Sequence, residues 1–446
     1  MSEHLGLKRR DYNCALKILS PLHIGVGRVR EDLLPEREEN GKKHKVPVNA
    51  IIRGALGKPY LPGTTLKGAL KSALRTSSEA VSSELFGDIK SDGSGRMGAL
   101  LVRGALMDKA GQAEGLPYAT EDGVFVLSRT AIDAGRGIAA RNKLFNMEAV
   151  APGATFDLRL RLETRGDIEE LENALIEILS CFGVAHGRSI GADTTSGFGR
   201  VRILGDVIRT SWEEMKNGAL QALPQEVVTL REVTVSNTHE LVLECDGPFL
   251  TRDSGWTDEA RAEAEKNGEK HPPHLRGLRH GVGDSAVPFV TGQTVSGAMR
   301  ARLEWLLACD ALLAREQMPA RCEGISGPEE INSLSPSERL FGVTGWKGVL
   351  GVVVTETARA QSCQTTSVRI DRFSGGTIDN ALFTIDADLG VRVIVRLTLD
   401  GRATDEDQQM LSRLLEDVTA NGVKLGHGSG RGFGWFKVKE SPHGAH

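Results

Sequence analysis

Residues 59–74 read PYLPGTTLKGALKSAL, and the rest of the chain is arranged around this stretch. A short apolar run meets a Pro-Gly turn, and apolar residues then follow at helical spacing: Leu66, Ala69, Leu70 and Ala73. This spacing predicts a helix with one apolar face. We expect the hydroxyl of Thr64 or Thr65 to cap its first turn.

Gly68 is unusual inside this predicted helix, because an interior glycine costs roughly 1 kcal/mol relative to alanine. Two explanations fit. The helix packs closely against a sheet at this point, which is a common reason for a helical glycine. Alternatively, free N–H groups at the helix start receive a phosphate together with Lys67. The sequence favours packing and leaves the second explanation open.

The same pattern occurs again in residues 287–303, VPFVTGQTVSGAMRARL. Gly63 opens the first copy and Gly292 the second, an offset of 229 residues (292 − 63). Further matches follow in the same order: Leu85-Phe86-Gly87 with Leu340-Phe341-Gly342, Leu144-Phe145 with Leu382-Phe383, and Gly197-Phe198-Gly199 with Gly432-Phe433-Gly434. We therefore predict a tandem duplication. The first unit is residues 1–207, a linker is 208–238, and the second unit is 239–446 with a polar insertion at about 252–284.

The composition fits a globular protein with two domains, since 446 residues accommodate two units of ordinary size. The net charge of −4 does not exclude a nucleic-acid ligand, because binding needs only a local basic face. Six cysteines without a CxxC pair indicate neither a zinc site nor a disulfide framework, so we expect free thiols in a reducing cytosol. No apolar run reaches the ~20 residues that span a bilayer, so no membrane partner is expected.

Strand-like and helix-like segments alternate in each half, which predicts α+β sheets and is consistent with a ferredoxin-like unit. Residues 125–146 have an apolar start and a polar, glycine-rich middle, which predicts an extended hairpin. Three arginines are spaced along it: Arg129, Arg136 and Arg141.

These motifs resemble the RAMP superfamily, the repeat-associated proteins of CRISPR systems. The stretches that carry the resemblance are PLHIG at 21–25, LPGTTLKGAL at 61–70, LFG at 85–87 and the glycine-rich loop at 187–199. Residues 129–145 and 369–383 resemble the thumb hairpin of the backbone-forming subunit of type III effectors, the seventh RAMP group. Two fused units resemble the double backbone proteins of type III-D-like systems.

The resemblance implies two tandem ferredoxin-like, RRM-related RAMP palms, each with a thumb hairpin, in a cytoplasmic ribonucleoprotein. Its implied partners are CRISPR RNA, target RNA, and other RAMP and large-subunit proteins of an effector complex. Proteins that hold single strands use a basic groove. We expect ten basic residues to contact RNA: Lys67, Arg129, Arg136, Arg141, Arg188, Arg200, Arg300, Arg369, Arg372 and Arg431.

The resemblance also implies cleavage of target RNA by a loop aspartate with a divalent metal. The matching place in the first half holds Val48, and Asp32 is the nearest substitute in the same loop. In the second half Asp253 is the first candidate, with Asp258 and Asp284 as alternatives. An ordinary solvated loop carboxylate is the competing interpretation of each. Mg²⁺ is therefore expected only if the chain is catalytic, and its ligands are not predicted.

Three functional hypotheses follow. The first is a guide-RNA-binding backbone subunit that also cleaves target RNA. The second is the same scaffold without an active site. The third is a guide-processing endoribonuclease with a histidine general base, because His186 and His427 lie beside the glycine-rich loops. The third ranks last, since the hairpin stretches match the backbone branch.

Overall fold

The computed structural model describes residues 7–35, 37–39, 42–74, 79–89, 94–133, 138–185, 187–214, 219–233, 237–317 and 322–439. The fold is mixed α+β, consists mostly of sheet, and contains two successive regions with a similar order of elements. The predicted α+β class is thereby confirmed.

The first half contains sixteen described strands and three described α-helices. The strands are β1 (Lys8–Ile18), β2 (Gly25–Arg30), β3 (Arg37–Glu39), β4 (Lys42–His44), β5 (Val48–Ile51), β6 (Tyr60–Leu61), β7 (Gly87–Ile89), β8 (Gly95–Met97), β9 (Leu100–Val102), β10 (Ala105–Lys109), β11 (Val124–Asp133), β12 (Ile138–Val150), β13 (Thr155–Thr164), β14 (Arg188–Ser189), β15 (Arg200–Glu214) and β16 (Leu220–Val228). The helices are α1 (Gly63–Ala73), α2 (Glu79–Phe86) and α3 (Ile168–Gly183).

The second half contains ten described strands and four described α-helices. The strands are β17 (Thr238–Cys245), β18 (Leu275–Arg276), β19 (Arg279–His280), β20 (Val287–Pro288), β21 (Leu350–Ala358), β22 (Gln361–Ile370), β23 (Thr377–Leu389), β24 (Arg392–Leu399), β25 (Val423–Lys424) and β26 (Trp435–Lys439). The helices are α4 (Asp258–Lys266), α5 (Gly292–Ala314), α6 (Pro336–Phe341) and α7 (Asp405–Asn421).

Each half is built on an antiparallel sheet with the same arrangement of its central strands. The first sheet has the order β14-β15-β1-β13-β10-β6, and β9 also pairs with β13. The second has the order β21-β24-β17-β26-β25. In the first half β1 lies between β15, the last strand of the unit, and β13, which leads into the long helix. In the second half β17 lies in the same way between β26 and β24. The long helix is α3 in the first half and α7 in the second.

Each sheet buries its apolar side chains against helices. The amphipathic helix α3 places Leu171, Leu175 and Ile178 in the first core, each at most 1% exposed. Helices α5 and α7 place Val295 and Leu414, both fully buried, in the second core. In α3 these apolar residues recur at helical spacing and form the buried face of the helix.

A separate apolar cluster joins the two halves. It packs Phe125 and Phe198 of the first half against Leu278 and Phe289 of the second. The rings of Phe125 and Phe289 meet edge to face, with centroids 5.8 Å apart. Because Leu278 lies in the polar insertion, that insertion is part of the packing between the halves.

Strands β11 and β12 form one long hairpin and β22 and β23 form another, so the predicted hairpin in each half is confirmed. A short parallel strand lies beside the root of each hairpin, β5 beside β12 and β18 beside β23. The two halves therefore share the hairpin and the strand that supports it.

Helix α1 begins one residue before the expected caps. Its N-cap is Pro62, which has no side-chain cap hydrogen bond, and Thr64 and Thr65 lie inside the first turn. The predicted threonine cap is wrong, because the Pro-Gly turn already sets the chain direction. In α5, by contrast, the Thr291 side chain accepts a hydrogen bond from the Thr294 N–H.

Two segments are more regular than their composition indicates. Strand β15 continues to Glu214 and pairs with β16, so much of residues 208–238 forms a hairpin. Helix α5 continues to Ala314, well past the repeated motif. All six cysteines are free thiols. In the part of the chain that the structure describes, no helix is long and apolar enough to cross a membrane.

Candidate nucleic-acid interface

Gly68 in α1 and Gly297 in α5 occupy the same position in the repeated motif, and both are exposed. A Cβ added to either would meet no described heavy atom within 4 Å outside its own helix. The prediction that Gly68 packs against the sheet is therefore wrong. Both helices instead present a flat, open strip on which another molecule can approach the backbone closely.

The glycines that make close contacts stand at the helix starts. A Cβ on Gly63 would lie 2.5 Å from the carbonyl oxygen of Val102. A Cβ on Gly292 would lie 2.3 Å from the carbonyl oxygen of Val352 and 2.5 Å from that of Ser196. The second helix start is therefore held by its own sheet and also by a loop of the first half.

This loop, Thr194–Ser196 with Gly197, makes a close contact with the second half. Gly197 has φ +78°, and an added Cβ would lie 2.6 Å from the carbonyl oxygen of Val352. The corresponding loop of the second half, Ser429–Arg431, is exposed, and a Cβ on Gly432 would meet no described atom within 4 Å. The packing is thus head to tail, and the equivalent surface at the far end is uncovered by described residues.

Basic side chains from both halves converge beside this contact. We call Arg188, Arg200, Lys347 and Arg396 the junction cluster. Burial and the nearby Arg188 and Arg396 lower the pKa of Arg200 to about 10. Burial, Arg402 and Arg188 also lower the pKa of Lys347. These mutual effects indicate that the cations lie near one another, and one of them, Arg396, also pairs with Glu240 at 3.1 Å.

The expected RNA contacts Arg188 and Arg200 are therefore brought together. The Arg188 guanidinium donates to the Ser72 carbonyl oxygen at the end of α1 (3.2 Å), and Arg200 donates to the Gly187 carbonyl oxygen (2.9 Å). Lys67 lies half-buried on α1. Next to the cluster, an open groove of about 670 Å³ runs between the end of α3 and β24, with Arg231 and Arg396 on its wall.

The sequence could not indicate Lys347 and Arg396 as members of this cluster. They lie far from Arg188 and Arg200 in the chain and meet them only through the packing of the halves. Isolated basic residues in separate strands and in the loop before β21 carry no sequence signal for such a site.

Arg129, at the root of the first hairpin, lies inside the protein. Its side chain is 10% exposed, pairs with Asp193 at 2.5 Å and lies over the ring of Phe198 at 4.3 Å. Two of its guanidinium nitrogens, Nε and Nη2, are buried without a hydrogen-bond partner in the described structure. Arg129 thus links the hairpin root to the loop that contacts the second half.

Of the other hairpin arginines, the structure describes the side chains of the two in the second hairpin. Arg369 and Arg372 are exposed near the turn of the second hairpin, next to the fully exposed Phe373. Arg136 and the side chain of Arg141 lie outside the described residues. The second hairpin therefore presents positive charge together with an aromatic side chain.

Arg300 and Arg431 lie on separate elements of the second half. Arg300 pairs with Glu304 at 2.9 Å and donates to the carbonyl oxygen of Gly342. Arg431 is exposed in the uncovered loop, with its guanidinium carbon 5.4 Å from the ring centroid of Phe383. These two arginines are not part of the junction cluster.

The two candidate catalytic aspartates have unlike environments. Asp32 is exposed and accepts two hydrogen bonds from Arg30, at 2.6 and 3.0 Å, and this pairing lowers the pKa of Asp32. Asp253 is half-buried, and burial raises its pKa. The Asp253 carboxylate accepts the Gly255 N–H at 2.8 Å. Asp32 is thus a solvated loop carboxylate, whereas Asp253 is a half-buried loop carboxylate that shapes its own turn.

Neither aspartate has a donor set that suits Mg²⁺, which takes oxygen ligands. The described partner of Asp32 is a guanidinium, and that of Asp253 is a backbone N–H. Within the described ranges, no three His, Cys, Asp or Glu side chains are grouped to hold a metal ion. The described residues therefore do not fit the metal, and we derive no step through it.

The structure identifies the second-half position that matches Val48. Val48 pairs in parallel with Asn146, which follows Phe145 in the first hairpin. His274 makes the equivalent contact with Thr384, which follows Phe383 in the second. Sequence reasoning missed His274, because the insertion before it obscures the alignment of the halves.

The arginine five residues later supports the same alignment. Arg53 pairs with Glu148 at 3.4 Å, and Arg279 pairs with Asp386 at 2.6 Å. This repeated pairing of an arginine with an acidic residue of the hairpin could have located His274. It becomes visible only once Glu148 and Asp386 are recognised as equivalent residues.

Of the two histidines considered for guide processing, the structure describes only His427. His186 lies outside the described residues. His427 is exposed beside the second glycine-rich loop, and burial of its ring together with Arg252 and Arg431 lowers its pKa. His427 therefore lies in a positive environment that would also attract phosphate.

The model of the RAMP superfamily matches residues 15–202 and residues 278–437, one region in each half. No curated protein matches the chain. The family match supports a CRISPR-associated, RNA-binding role. Since the matched regions cover well over half of the sequence, the chain belongs to the RAMP superfamily.

Proposed function

We propose that this protein is a guide-RNA-binding backbone subunit of a type III CRISPR effector complex, built as two fused RAMP units. The observation that carries the proposal is the junction of the halves, where like units pack head to tail and basic residues of both converge. A continuous backbone ligand that passes from one unit to the next would cross this point. RNA is such a ligand, and its phosphates match the junction cluster.

The sheet arrangement supports ferredoxin-like palms. Numbered within each unit, the central strands have the order 4-1-3-2, and the two connecting helices of each unit lie on one face. An RRM-related palm of this kind binds nucleic acid by shape, charge and stacking. The two long hairpins correspond to the thumbs in this proposal.

The uncovered far-end loop supports assembly with further subunits. Inside the chain, Thr194–Ser196 is covered by α5 and β21, whereas Ser429–Arg431 is exposed. A heterologous contact of this kind continues as long as another unit can fill the open surface. Other RAMP subunits, which present the same helix start, are the partners that this surface fits.

RNA cleavage is not part of the proposal. The environments of Asp32 and Asp253 favour the scaffold hypothesis, and cleavage of target RNA stays a prediction to be tested.

The proposal is tested with the double variant Lys67→Ala/Arg188→Ala and single-stranded RNA. Removing one cation that binds a phosphate lowers the slope of log K against log salt by about 0.7, so the pair should lower it by about 1.4. The control is Arg413→Ala, which removes a positive charge from α7. An unchanged affinity and salt slope in the double variant would contradict the proposed interface.

A further inference from the structure

His274 is held by the backbone at the root of the second hairpin. The backbone N–H of His274 donates to the Thr384 carbonyl oxygen at 2.8 Å. The Thr384 N–H donates to the Nδ1 atom of the His274 ring at 3.1 Å. The imidazole is thereby fixed in position, immediately before β18.

The second of these hydrogen bonds determines the tautomer of the ring. Because Nδ1 accepts a hydrogen bond, the neutral imidazole carries its own hydrogen on Nε2. Burial and the nearby Arg261 lower the pKa of His274, while Asp258 acts in the opposite direction. His274 is therefore a neutral Nε2–H donor at neutral pH, and neither ring nitrogen is free to serve as a general base.

An aromatic and cationic stack continues from this ring. The centroids of His274 and Phe383 are 5.1 Å apart, with an interplanar angle of 32°. The Arg431 guanidinium carbon lies 5.4 Å from the Phe383 centroid. All three side chains retain accessible surface, since Arg431 is exposed and the other two are half-buried.

The polar insertion builds this arrangement. The Trp256 indole N–H donates to the Pro273 carbonyl oxygen at 2.8 Å, and the Arg261 side chain donates to that of Pro272 at 3.2 Å. These contacts fix the two residues that precede His274. The insertion therefore has a local purpose that its polar composition does not reveal.

The first half lacks the same arrangement. At the place of His274 it has Val48, which is fully buried. Phe145, the counterpart of Phe383, is 43% exposed. The first half therefore lacks the histidine that completes this arrangement.

We propose that His274, Phe383 and Arg431 form a binding site for an unpaired nucleobase of single-stranded RNA. The base stacks on the Phe383 ring beside the His274 imidazole, so that the in-plane Nε2–H group of His274 donates to an acceptor on the base edge. Arg431 neutralises the adjoining phosphate. Base stacking on aromatic rings tolerates any base and adds substantially to single-strand affinity. This site rests on the proposed RNA-binding function and specifies where one base is held.

The test compares the full chain with its variants in binding to a fluorescein-labelled 20-nucleotide oligoadenylate. Phe383→Ala and His274→Ala should each weaken binding about tenfold, which is within the range for removal of one stacked base. His274→Gln, which keeps a side-chain donor, should weaken binding less. Leu312→Ala, which removes an exposed apolar side chain near the end of α5, is the control and should change affinity less than about twofold. Thermal unfolding of each variant checks that the fold is retained.

A ribose-phosphate oligomer of the same length without bases separates stacking from charge. On this probe Phe383→Ala should bind like the wild type, whereas Arg431→Ala should still bind more weakly. If the two ring variants bind oligoadenylate like the wild type, the base site is wrong while RNA binding stands. If the wild type binds neither probe, the proposed function itself is overturned, and the base site with it.

Discussion

Replacing Gly68 and Gly297 by alanine should raise stability and lower RNA affinity at the same time. An alanine Cβ at either position meets no described atom within 4 Å outside its helix, so the added methyl group creates no clash in the fold. The helix gains about 1 kcal/mol from each replacement of glycine by alanine. The two sites lie in different units, and their effects should add to about 2 kcal/mol.

The assay combines thermal unfolding with RNA binding. For a unit of roughly 200 residues, 1 kcal/mol corresponds to a rise in Tm of about 2–4 °C. In the same variants, the added methyl groups should hold the RNA backbone away from α1 and α5, and the salt slope should fall by about 0.7 for each phosphate that is displaced from its cation. Gly63→Ala is the control of opposite sign, because its Cβ would lie 2.5 Å from the Val102 carbonyl oxygen and should destabilise the first unit.

Two results would refute this reasoning. If Gly68→Ala and Gly297→Ala lower the Tm, the space outside these helices is not open. If both variants are more stable and bind RNA as the wild type does, the exposed helix strip does not contact RNA.

Three further predictions concern the junction, pH and cleavage. Gly292→Ala should destabilise the protein by about 2 kcal/mol in urea unfolding, because the Cβ would lie 2.3 and 2.5 Å from backbone oxygens of both halves. A variant as stable as the wild type would show that the two halves do not pack closely at Gly292. The folded-state pKa of His274 lies below its unfolded value, so stability should fall as pH drops below about 6.5, and His274→Gln should reduce this dependence; an identical pH profile would contradict the assignment. If Asp32 or Asp253 supports cleavage, its alanine variant should lose one Mg²⁺-dependent cut in a matched target RNA, whereas an unchanged cut pattern in both would reject them.

The repeat and the elements that carry it could be predicted from the sequence. Local patterns determine them, since the Pro-Gly turn, the helical spacing after it and the alternation in the hairpins act over a few residues. The family resemblance, drawn from the same stretches, is supported by the match to both halves. Even here, Pro62 rather than a threonine is the N-cap of α1, because the Pro-Gly turn sets where the helix begins.

Features that depend on packing between distant residues could not be predicted. The exposure of Gly68 depends on how α1 lies on its sheet. The sequence favoured packing of Gly68 against the sheet, and the structure shows that this glycine is exposed. The junction cluster forms only when Lys347 and Arg396 meet strands of the other half. His274 is located by its hydrogen bonds to Thr384, a contact that the intervening insertion hides from any alignment by motif.

The central claim is that this chain holds a guide RNA along both units, and the most direct measurement is to sequence the RNA that co-purifies with it from the native operon. We expect short RNAs that share a repeat-derived 5′ tag, with their amount reduced in the Lys67→Ala/Arg188→Ala variant. Purification of the intact complex without RNA would contradict the account.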